Sequence, residues 1–439
     1  MLSSGIERGE TKMTLKKPGY KPRLADKRLE DLLPAFGAVC IEGPKWCGKT
    51  WTALNVAQSV VYVASPENHF QNRTLAQLSP NLVLEGAAPR LIDEWQEVPP
   101  IWDAVIFSVN QQTARGRFIL TGSATPNYKG VLHSGAGRIA NMQMHTMSLF
   151  ESGDSSGQVS LEALFHGEIT PQKQGHASLQ NLIHLIVRGG WPGSLGLPIK
   201  AAAELPKAYL SSIITDDLHR MDGSRKDQQK IFRLLRSLAR NESTVVSNAT
   251  LRRDIRDTDG ETINEETIAD YLNLLQRMFL RLDQPAFDPN MRSSVRVGKS
   301  VKRHFVDPSL AVAAMEASDE MLGKDLNTLG FLFEALCERD LQIYAADFHG
   351  KLFHYRDGAG REIDAVVEHP DGSWAAIEIK LGGNQIDQAA EGLLNIRAAM
   401  ENDPKAKPPK VLCVICGLGE YAYQRKDGVF VVPITMLRN

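Results

Sequence analysis

Eight residues near the start of the chain have the types and spacing of a phosphate-binding loop. Residues 43–50 read Gly-Pro-Lys-Trp-Cys-Gly-Lys-Thr and fit the pattern G-x-x-x-x-G-K-[ST]. An apolar run at 38–41 precedes them as a predicted strand, and residues 51–57 follow as the start of a predicted helix. The pattern predicts that the loop amides and the positive end of the helix bind the phosphates of a nucleotide.

Each part of this loop has an expected role. Gly43 and Gly48 let the backbone turn its N–H groups inward, Lys49 is expected to reach the β- and γ-phosphates, and the Thr50 hydroxyl is expected to bind Mg²⁺. The alternative is a glycine-rich turn that matches the pattern by chance. The predicted nucleotide-binding set is the whole loop: Gly43, Pro44, Lys45, Trp46, Cys47, Gly48, Lys49 and Thr50.

Two adjacent carboxylates end a later predicted strand. Residues 89–99 read Pro-Arg-Leu-Ile-Asp-Glu-Trp-Gln-Glu-Val-Pro, with an apolar strand before the acidic pair. Asp93 is expected to hold Mg²⁺ through water, and Glu94 is expected to polarise the water that attacks a phosphate. An acidic pair alone is weak support for such a site, but this pair follows a phosphate loop and has the strand context that the chemistry requires.

An arginine follows the next predicted strand. The segment 135–139, Gly-Ala-Gly-Arg-Ile, places Arg138 on a loop. A guanidinium at this place can stabilise the charge of a phosphoryl-transfer transition state, in its own site or in that of a neighbouring subunit. The alternative is an ordinary surface arginine.

Taken in order, these motifs resemble those of the AAA-type ATPases of bacteria and archaea that carry an uncharacterised C-terminal domain. The resemblance extends from about residue 20 to the end of the chain. It implies a P-loop ATPase core that uses ATP and Mg²⁺, with a polar side chain, Ser123 or Thr121, that senses the γ-phosphate; alternatively, Thr-Gly-Ser is only a turn. The motifs occupy residues 43–50, 91–99, 118–124 and 137–139.

A second group of charged residues lies in the last third of the chain. Glu334 is on an apolar predicted helix, Asp364 is on the second strand of a predicted hairpin, and Glu378 and Lys380 are on the strand after it. Because side chains alternate between the two faces of a strand, Glu378 and Lys380 are predicted to share a face, beside Asp364.

This order of residues resembles the PD-(D/E)XK nuclease superfamily, although Ile363 stands where a proline is usual. The resemblance implies that Asp364 and Glu378 bind Mg²⁺, that Lys380 orients or activates water, and that Glu334 is an outer metal ligand. The alternative is a nuclease-like domain whose carboxylates serve a salt bridge with Lys380. Adjacent carboxylates need a cation or a proton to coexist, so both interpretations are open.

Between these two regions, three predicted helices and a following strand have the order of a winged helix. The helices are at 231–239, 248–255 and 264–278. A third helix of this kind can enter the major groove of DNA, but packing is an equally open role because acidic residues repel phosphates. The basic residues that would contact phosphates are Arg252, Arg253 and Arg277, and the acidic ones are Glu265, Glu266 and Asp270.

The chain of 439 residues is too long for one core and is predicted to be a multidomain α/β protein. Five segments are expected: a disordered tail at 1–19, the P-loop core with a parallel sheet at 20–150, a helical connector at 151–224, a winged-helix-like segment at 225–300, and an α/β nuclease-like domain at 301–439. Residues 152–157 have the Gly/Ser composition of a linker.

Composition excludes several classes of protein. A formal net charge of −2 limits any nucleic-acid contact to a local patch. No apolar run has the ~20 residues that a membrane span requires, so a cytoplasmic location without a membrane partner is expected. Five cysteines are too few and too scattered for a disulfide framework. Cys413 and Cys416 lie in an apolar run and are predicted to be buried in a strand.

The sequence therefore predicts an enzyme that binds and hydrolyses ATP with Mg²⁺. Its C-terminal segments would couple the nucleotide state to an activity on DNA or on a protein partner. If Arg138 acts on a neighbouring subunit, the protein is a homo-oligomer. Two accounts of these segments stay open. They either cut nucleic acid, or they form a switch or scaffold that binds a partner without cleavage.

Overall fold

The computed structural model of the protein contains two compact units, which are described separately. The first contains the described residues of Met1–Gly43 and Gly48–Met144, and the second contains those of Pro44–Cys47 and His145–Asn439. Most of the predicted N-terminal tail, residues 1–14, lies outside the described residues. The structure describes residues 15–124, 133–167, 169–173, 177–217, 227–255, 264–290, 293, 296, 300–404 and 406–439.

The first unit is built on a five-stranded sheet with the order β2-β3-β4-β1-β5, in which every pair of neighbours is parallel. Its strands are β1 (Ala38–Glu42), β2 (Ser59–Tyr62), β3 (Arg90–Asp93), β4 (Phe118–Gly122) and β5 (Ile139–Gln143). The central strands β1 and β4 are apolar and buried along most of their length, as expected for a parallel sheet covered on both faces.

Helices and short 3₁₀ turns connect these strands. The helices are α1 (Leu24–Leu32), α2 (Lys49–Leu54), α3 (Glu67–Leu78) and α4 (Pro100–Asn110), and the 3₁₀ turns are Pro80–Leu84 and Trp95–Glu97. Trp95 and Trp102 pack against each other in the core, with ring centroids 4.8 Å apart and ring planes tilted by 34°. Because all five strands run in the same direction, the residues that follow β1, β3 and β4 meet at one edge of the sheet. The residue that precedes β5 lies at the other edge.

The N-terminal part of the second unit is mainly helical. It contains α5 (Leu149–Ser152), α6 (Leu161–Leu164), α7 (Leu179–Arg188), α8 (Ile199–Ser212), α9 (Gln228–Arg240), α10 (Asn248–Asp254) and α11 (Glu265–Arg277). After α11, β8 (Arg281–Gln284) pairs in antiparallel register with β9 (Lys302–Phe305). The three helices and the strand predicted for this segment are therefore present, while their interpretation as a winged helix stays a prediction.

The C-terminal part contains a seven-stranded mixed sheet in the order β10-β11-β12-β13-β15-β14-β7. Its helices are α12 (Pro308–Ala314), α13 (Asp319–Lys324), α14 (Leu326–Asp347) and α15 (Ile386–Glu401). The predicted hairpin and the buried strand with both cysteines are confirmed. The strands are β7 (Gln172–Lys173), β10 (Lys351–Arg356), β11 (Glu362–Glu368), β12 (Trp374–Lys380), β13 (Val411–Cys416), β14 (Tyr421–Gln424) and β15 (Phe430–Pro433).

The segment that begins the second unit is bound to the end of the chain. Its strand β7 is an edge of the large sheet, and β6 (Val159–Ser160) pairs with β16 (Leu437–Arg438). Within the predicted linker, the Ser155 hydroxyl donates to the Leu437 carbonyl at 2.6 Å. These pairings show that residues 152–157 are held by the C-terminal strands, which local composition does not reveal.

A buried ion pair lies where several of these elements meet. Arg339 on α14 lies 3.0 Å from Asp307 and 2.7 Å from Asp340, and neither carboxylate side chain is exposed to solvent. Asp307 also accepts from the Gly190 amide at 2.9 Å, and Asp340 accepts from the Leu149 amide at 2.9 Å. The charge of one guanidinium therefore stabilises two carboxylates, and each carboxylate also accepts a hydrogen bond from the backbone of a different segment.

Across the described residues, none of the helices is both long enough and apolar enough to span a bilayer.

Candidate functional site

The phosphate loop has the backbone conformation that its glycines predict. β1 ends at Glu42, and α2 begins at Lys49, directly after Gly48. Gly48 has a φ of 109°, which side chains with a Cβ rarely adopt, so glycine is required at the turn into the helix. The Lys49 ammonium donates to the Gly43 carbonyl at 3.0 Å, and its side chain is 5% exposed. The structure thus places a buried cation inside the loop, where the phosphate charge is expected.

Thr50 and Asp93 lie together, although they belong to different elements. The Thr50 hydroxyl donates to Asp93 Oδ1 at 2.7 Å, and the Thr121 hydroxyl donates to the same oxygen at 2.7 Å. Burial raises the pKa of Asp93, while the bonds from Thr121 and Thr50 oppose that rise. A hydroxyl and a carboxylate are hard oxygen ligands of the kind that Mg²⁺ takes, so this pair fits the ion expected with ATP.

Glu94 is held by two polar side chains. The Ser123 hydroxyl donates to Glu94 Oε2 at 3.0 Å, and the amide of Gln96 donates to the same oxygen. Glu94 has a left-handed backbone with φ 57° and ψ 47°, an uncommon conformation that turns the chain directly after β3. The carboxylate is therefore fixed at the carboxyl edge of the sheet, where the phosphate loop begins.

Sequence reasoning did not assign Gln96 to the site. Its amide lies 3.4 Å from Ser123 Oγ and joins that side chain to Glu94. A glutamine two residues after an acidic pair was visible in the sequence, but its direction depends on the 3₁₀ turn Trp95–Glu97. Ser123, predicted to sense the γ-phosphate, contacts Glu94 in this structure.

Arg138 is not brought to the phosphate loop of its own unit. It directly precedes β5, and its carbonyl accepts from Ala38 at the start of β1, whereas the loop follows the end of β1. The guanidinium turns toward α4 and donates to Asn110. A five-residue strand, at about 3.3 Å per residue, therefore separates Arg138 from its own loop. The geometry disagrees with a role in the same chain, and a role toward a neighbouring subunit stays a prediction.

The C-terminal carboxylates and Lys380 converge as the strand alternation predicted. Lys380 Nζ lies 3.0 Å from Asp364 Oδ2 and 2.6 Å from Glu378 Oε2. The Ile379 amide also donates to Asp364 Oδ2, at 2.8 Å. Burial, and then the charge of Asp364, raises the pKa of Glu378 to about 7. Asp364, Glu378 and Lys380 therefore form one ion-paired group on adjacent strands.

A second lysine, which the sequence did not single out, enters this cluster from β9. Lys302 Nζ donates to Glu334 Oε1, to Glu338 Oε1 at 2.7 Å and to the Asp364 carbonyl at 3.2 Å. Burial would lower the pKa of Lys302, but the charges of Glu338 and Glu334 reverse this effect and raise it. The pKa of Glu334 is itself raised to about 7, chiefly by burial. We name these residues the carboxylate cluster: Lys302, Glu334, Glu338, Asp364, Glu378 and Lys380.

In this structure the carboxylates that the nuclease resemblance assigns to a second metal ion are paired with ammonium groups. Asp364 and Glu378 are bound by the ammonium of Lys380, and Glu334 by that of Lys302. Among the described ranges, no three or more His, Cys, Asp or Glu side chains are grouped so that they could hold a metal ion. The arrangement instead agrees with the salt-bridge alternative.

Family models match three parts of the chain. Residues 35–152, which contain the phosphate loop, Asp93, Glu94 and Ser123, match the model of an AAA domain. This segment is a P-loop ATPase domain. Residues 179–321 match a domain of unknown function, DUF8612, and residues 329–437 match another, DUF4143. These two descriptions name no activity, so the winged-helix and nuclease-like interpretations beyond the ATPase domain remain predictions.

Two curated relatives match across most of the chain. They are uncharacterized proteins of Mycobacterium bovis and Mycobacterium tuberculosis, each 23% identical over 350 residues, which is 79% of this chain and 71% of the relative. The match extends well beyond the ATPase domain.

Two solved structures are also similar. The Walker-type ATPase of Pyrococcus abyssi has a TM-score of 0.41 and 12% identity, over 70% of this chain and 99% of that one. A signal transduction ATPase with a tetratricopeptide repeat sensor from Pyrococcus horikoshii has a TM-score of 0.20 and 13% identity, over 74% of this chain and 49% of that one.

Proposed function

We propose that the ATPase domain binds ATP together with Mg²⁺ and hydrolyses it. The observation that carries this proposal is the meeting of a phosphate loop, a hydroxyl–carboxylate pair and a fixed glutamate at one edge of a parallel sheet. Thr50 donates to Asp93 at 2.7 Å, and Ser123 donates to Glu94 at 3.0 Å. Ligands bind at this edge of open α/β sheets because loops and helix N-termini converge there.

The proposed division of roles follows from these contacts. Lys49 leaves the Gly43 carbonyl and binds the β- and γ-phosphates. Thr50 and Asp93 hold Mg²⁺, which neutralises phosphate charge when it is bound. Glu94 orients the attacking water and accepts its proton. Because Ser123 and Gln96 both donate to Glu94 Oε2, we assign proton acceptance to Oε1.

Replacement of the buried loop lysine tests nucleotide binding. Lys49→Ala removes the only ammonium that this proposal places on the phosphates, so affinity for ATP with Mg²⁺ is expected to fall about 100-fold or more. Isothermal titration calorimetry measures this change. Lys27→Ala, a change at an exposed lysine on α1, is the matched control and should bind like the wild type. Equal affinity in the wild type and Lys49→Ala would contradict the proposed site.

For the second unit, we propose a module that binds a nucleic-acid or protein partner without cleavage. The observation that favours this role over a nuclease is the ion pairing of the carboxylate cluster, in which Lys380 contacts both Asp364 and Glu378. A metal-dependent nuclease needs those oxygens for its cation. Hydrolysis of ATP would then change the affinity for the partner rather than drive cutting.

An assay on plasmid DNA, single-stranded DNA and RNA tests the absence of cleavage. With Mg²⁺ or Mn²⁺ present, the wild type and Asp364→Ala are expected to leave all three substrates intact, because the cluster holds ammonium groups instead of metal. Asp364→Ala prepared in the same way also controls for contaminating nucleases. Cutting by the wild type that disappears in Asp364→Ala would overturn the proposed role.

A further inference from the structure

The carboxylate cluster takes a cation from outside the segment that matches DUF4143. We propose that Lys302 is an internal cation, inserted from β9, which occupies the acidic centre of the C-terminal domain and excludes a divalent metal from it. Lys302 precedes the DUF4143 match at 329–437 and lies in the segment that matches DUF8612, at 179–321. One part of the chain thereby places an ammonium group against the carboxylates of the next.

The hydrogen bonds of Lys302 match its full capacity as a donor. An ammonium has three N–H donors, and Nζ has three oxygen partners: Glu334 Oε1, Glu338 Oε1 and the Asp364 carbonyl. Two carboxylates and a carbonyl are also the oxygen ligands that a hard divalent cation would use. The ammonium therefore uses the oxygens that such a metal would require.

Because Lys302 and Glu338 are buried, each needs the other as a partner for its charge. Lys302 is 6% exposed and Glu338 is 2% exposed, so both have left bulk water. A buried charge is tolerated when it is paired and hydrogen-bonded, and the loss of one partner leaves the other uncompensated. Lys302 also joins β9 to α14 and β11, because its three acceptors are on those two elements.

The polar contacts continue along β9 to Glu242, which lies just after α9, and to Gln284 at the end of β8. Two residues after Lys302 on the same strand, His304 lies 3.1 Å from Glu242 through Nδ1 and 3.1 Å from Gln284 through Nε2. Its Nε2 is also 3.3 Å from Glu338 Oε2. Burial lowers the pKa of His304, so the ring is neutral and adds no second cation. The positive charge that faces Glu334 and Glu338 from β9 is therefore that of Lys302.

Removal of the ammonium should convert the site into a metal site. Lys302→Ala leaves Glu334, Glu338 and the Asp364 carbonyl around the vacated space. Nucleotide-free Lys302→Ala is expected to bind Mn²⁺ about tenfold or more tightly than the nucleotide-free wild type, with one additional saturable site. Electron paramagnetic resonance of Mn²⁺ titrations counts free and bound ion in both proteins.

Two further variants keep the test decisive if Lys302→Ala folds poorly. Lys302→Ala combined with Glu334→Gln and Glu338→Gln removes the excess negative charge, so it should fold without metal and lose the added Mn²⁺ site. Lys302→Arg keeps the charge and should resemble the wild type. If Lys302→Ala unfolds alone but folds with Mn²⁺, the proposal is supported. If Lys302→Ala shows no additional Mn²⁺ site, either as a folded protein or as one that Mn²⁺ fails to refold while the triple variant folds, the proposal fails.

Direct metal binding by the wild type would also overturn this inference. Saturable Mn²⁺ binding in nucleotide-free wild type that is lost in Glu334→Gln would show that metal, and not Lys302, occupies the centre. The inference goes beyond the proposed function, and the two fail separately. ATP turnover reports on Lys49, Asp93 and Glu94 in the first unit, whereas this Mn²⁺ site lies in the second unit.

Discussion

Glu94→Gln is expected to bind ATP with wild-type affinity and to hydrolyse it about 10²- to 10⁴-fold more slowly, the range for loss of a general base. The amide has nearly the shape of the carboxylate and can keep a hydrogen bond to Ser123, so the loop and its edge of the sheet should be unchanged. It cannot accept a proton from the attacking water. Binding and turnover should therefore separate in this variant.

Phosphate release at saturating ATP, together with calorimetric binding, measures the two quantities. Glu97→Gln is the matched control, since Glu97 is on the same 3₁₀ turn but pairs with Arg73 at 3.5 Å near the surface. That control should keep wild-type turnover because its carboxylate is directed away from Glu94 toward α3. Unchanged turnover in Glu94→Gln would remove the role given to this residue.

Arg339→Met is expected to lower the free energy of unfolding of the second unit by about 3–5 kcal/mol, the usual cost of breaking a buried ion pair. Asp307 and Asp340, whose side chains are fully buried, would both lose their cation. The charge of Arg339 now opposes the effect of burial and, with several hydrogen bonds, holds the pKa of Asp307 below its ordinary value. Without it, Asp307 would be a buried, uncompensated charge.

Urea denaturation followed by tryptophan fluorescence measures this loss, since the buried Trp191 and Trp374 belong to the same unit. Arg397→Met is the control, because Arg397 pairs with Glu401 at 3.9 Å on the surface of α15. Surface pairs of this kind contribute about 0–1 kcal/mol, so the control should unfold near the wild-type urea concentration. If Arg339→Met shifts unfolding no more than Arg397→Met, the buried network is not what holds this unit together.

The residues that the sequence located well are those whose geometry is local. The phosphate loop was readable because the glycines, the lysine and the helix start are consecutive, so backbone sterics and the helix terminus define the site within residues 43–50. Glu378 and Lys380 were placed on one face for a similar reason. Alternation along a single strand sets that face, and β12 pairs with β11 as its neighbour.

Residues with distant partners were placed less well. The position of Arg138 after a strand predicts a role at the phosphates, but the parallel direction of β5 puts this residue at the sheet edge away from the loop. The direction of the Gln96 side chain depends on the 3₁₀ turn after Glu94, which the sequence did not predict. The segment at 152–157 had the composition of a linker, yet its partners are strands at the other end of the chain.

The P-loop and its acidic pair are predictable from the sequence, because consecutive residues set the conformation and charge of such a loop. The contact of a second cation, Lys302, with Glu334 and Glu338 is visible only in the folded chain. Lys302 is an ordinary residue in the pattern of β9, and its role comes from the packing of that strand beside α14 and β11. Contacts between residues far apart in the chain leave no periodic signal in the sequence. The hydrophobic periodicity of a helix or strand shows which of its faces is buried, but it does not show which element covers that face.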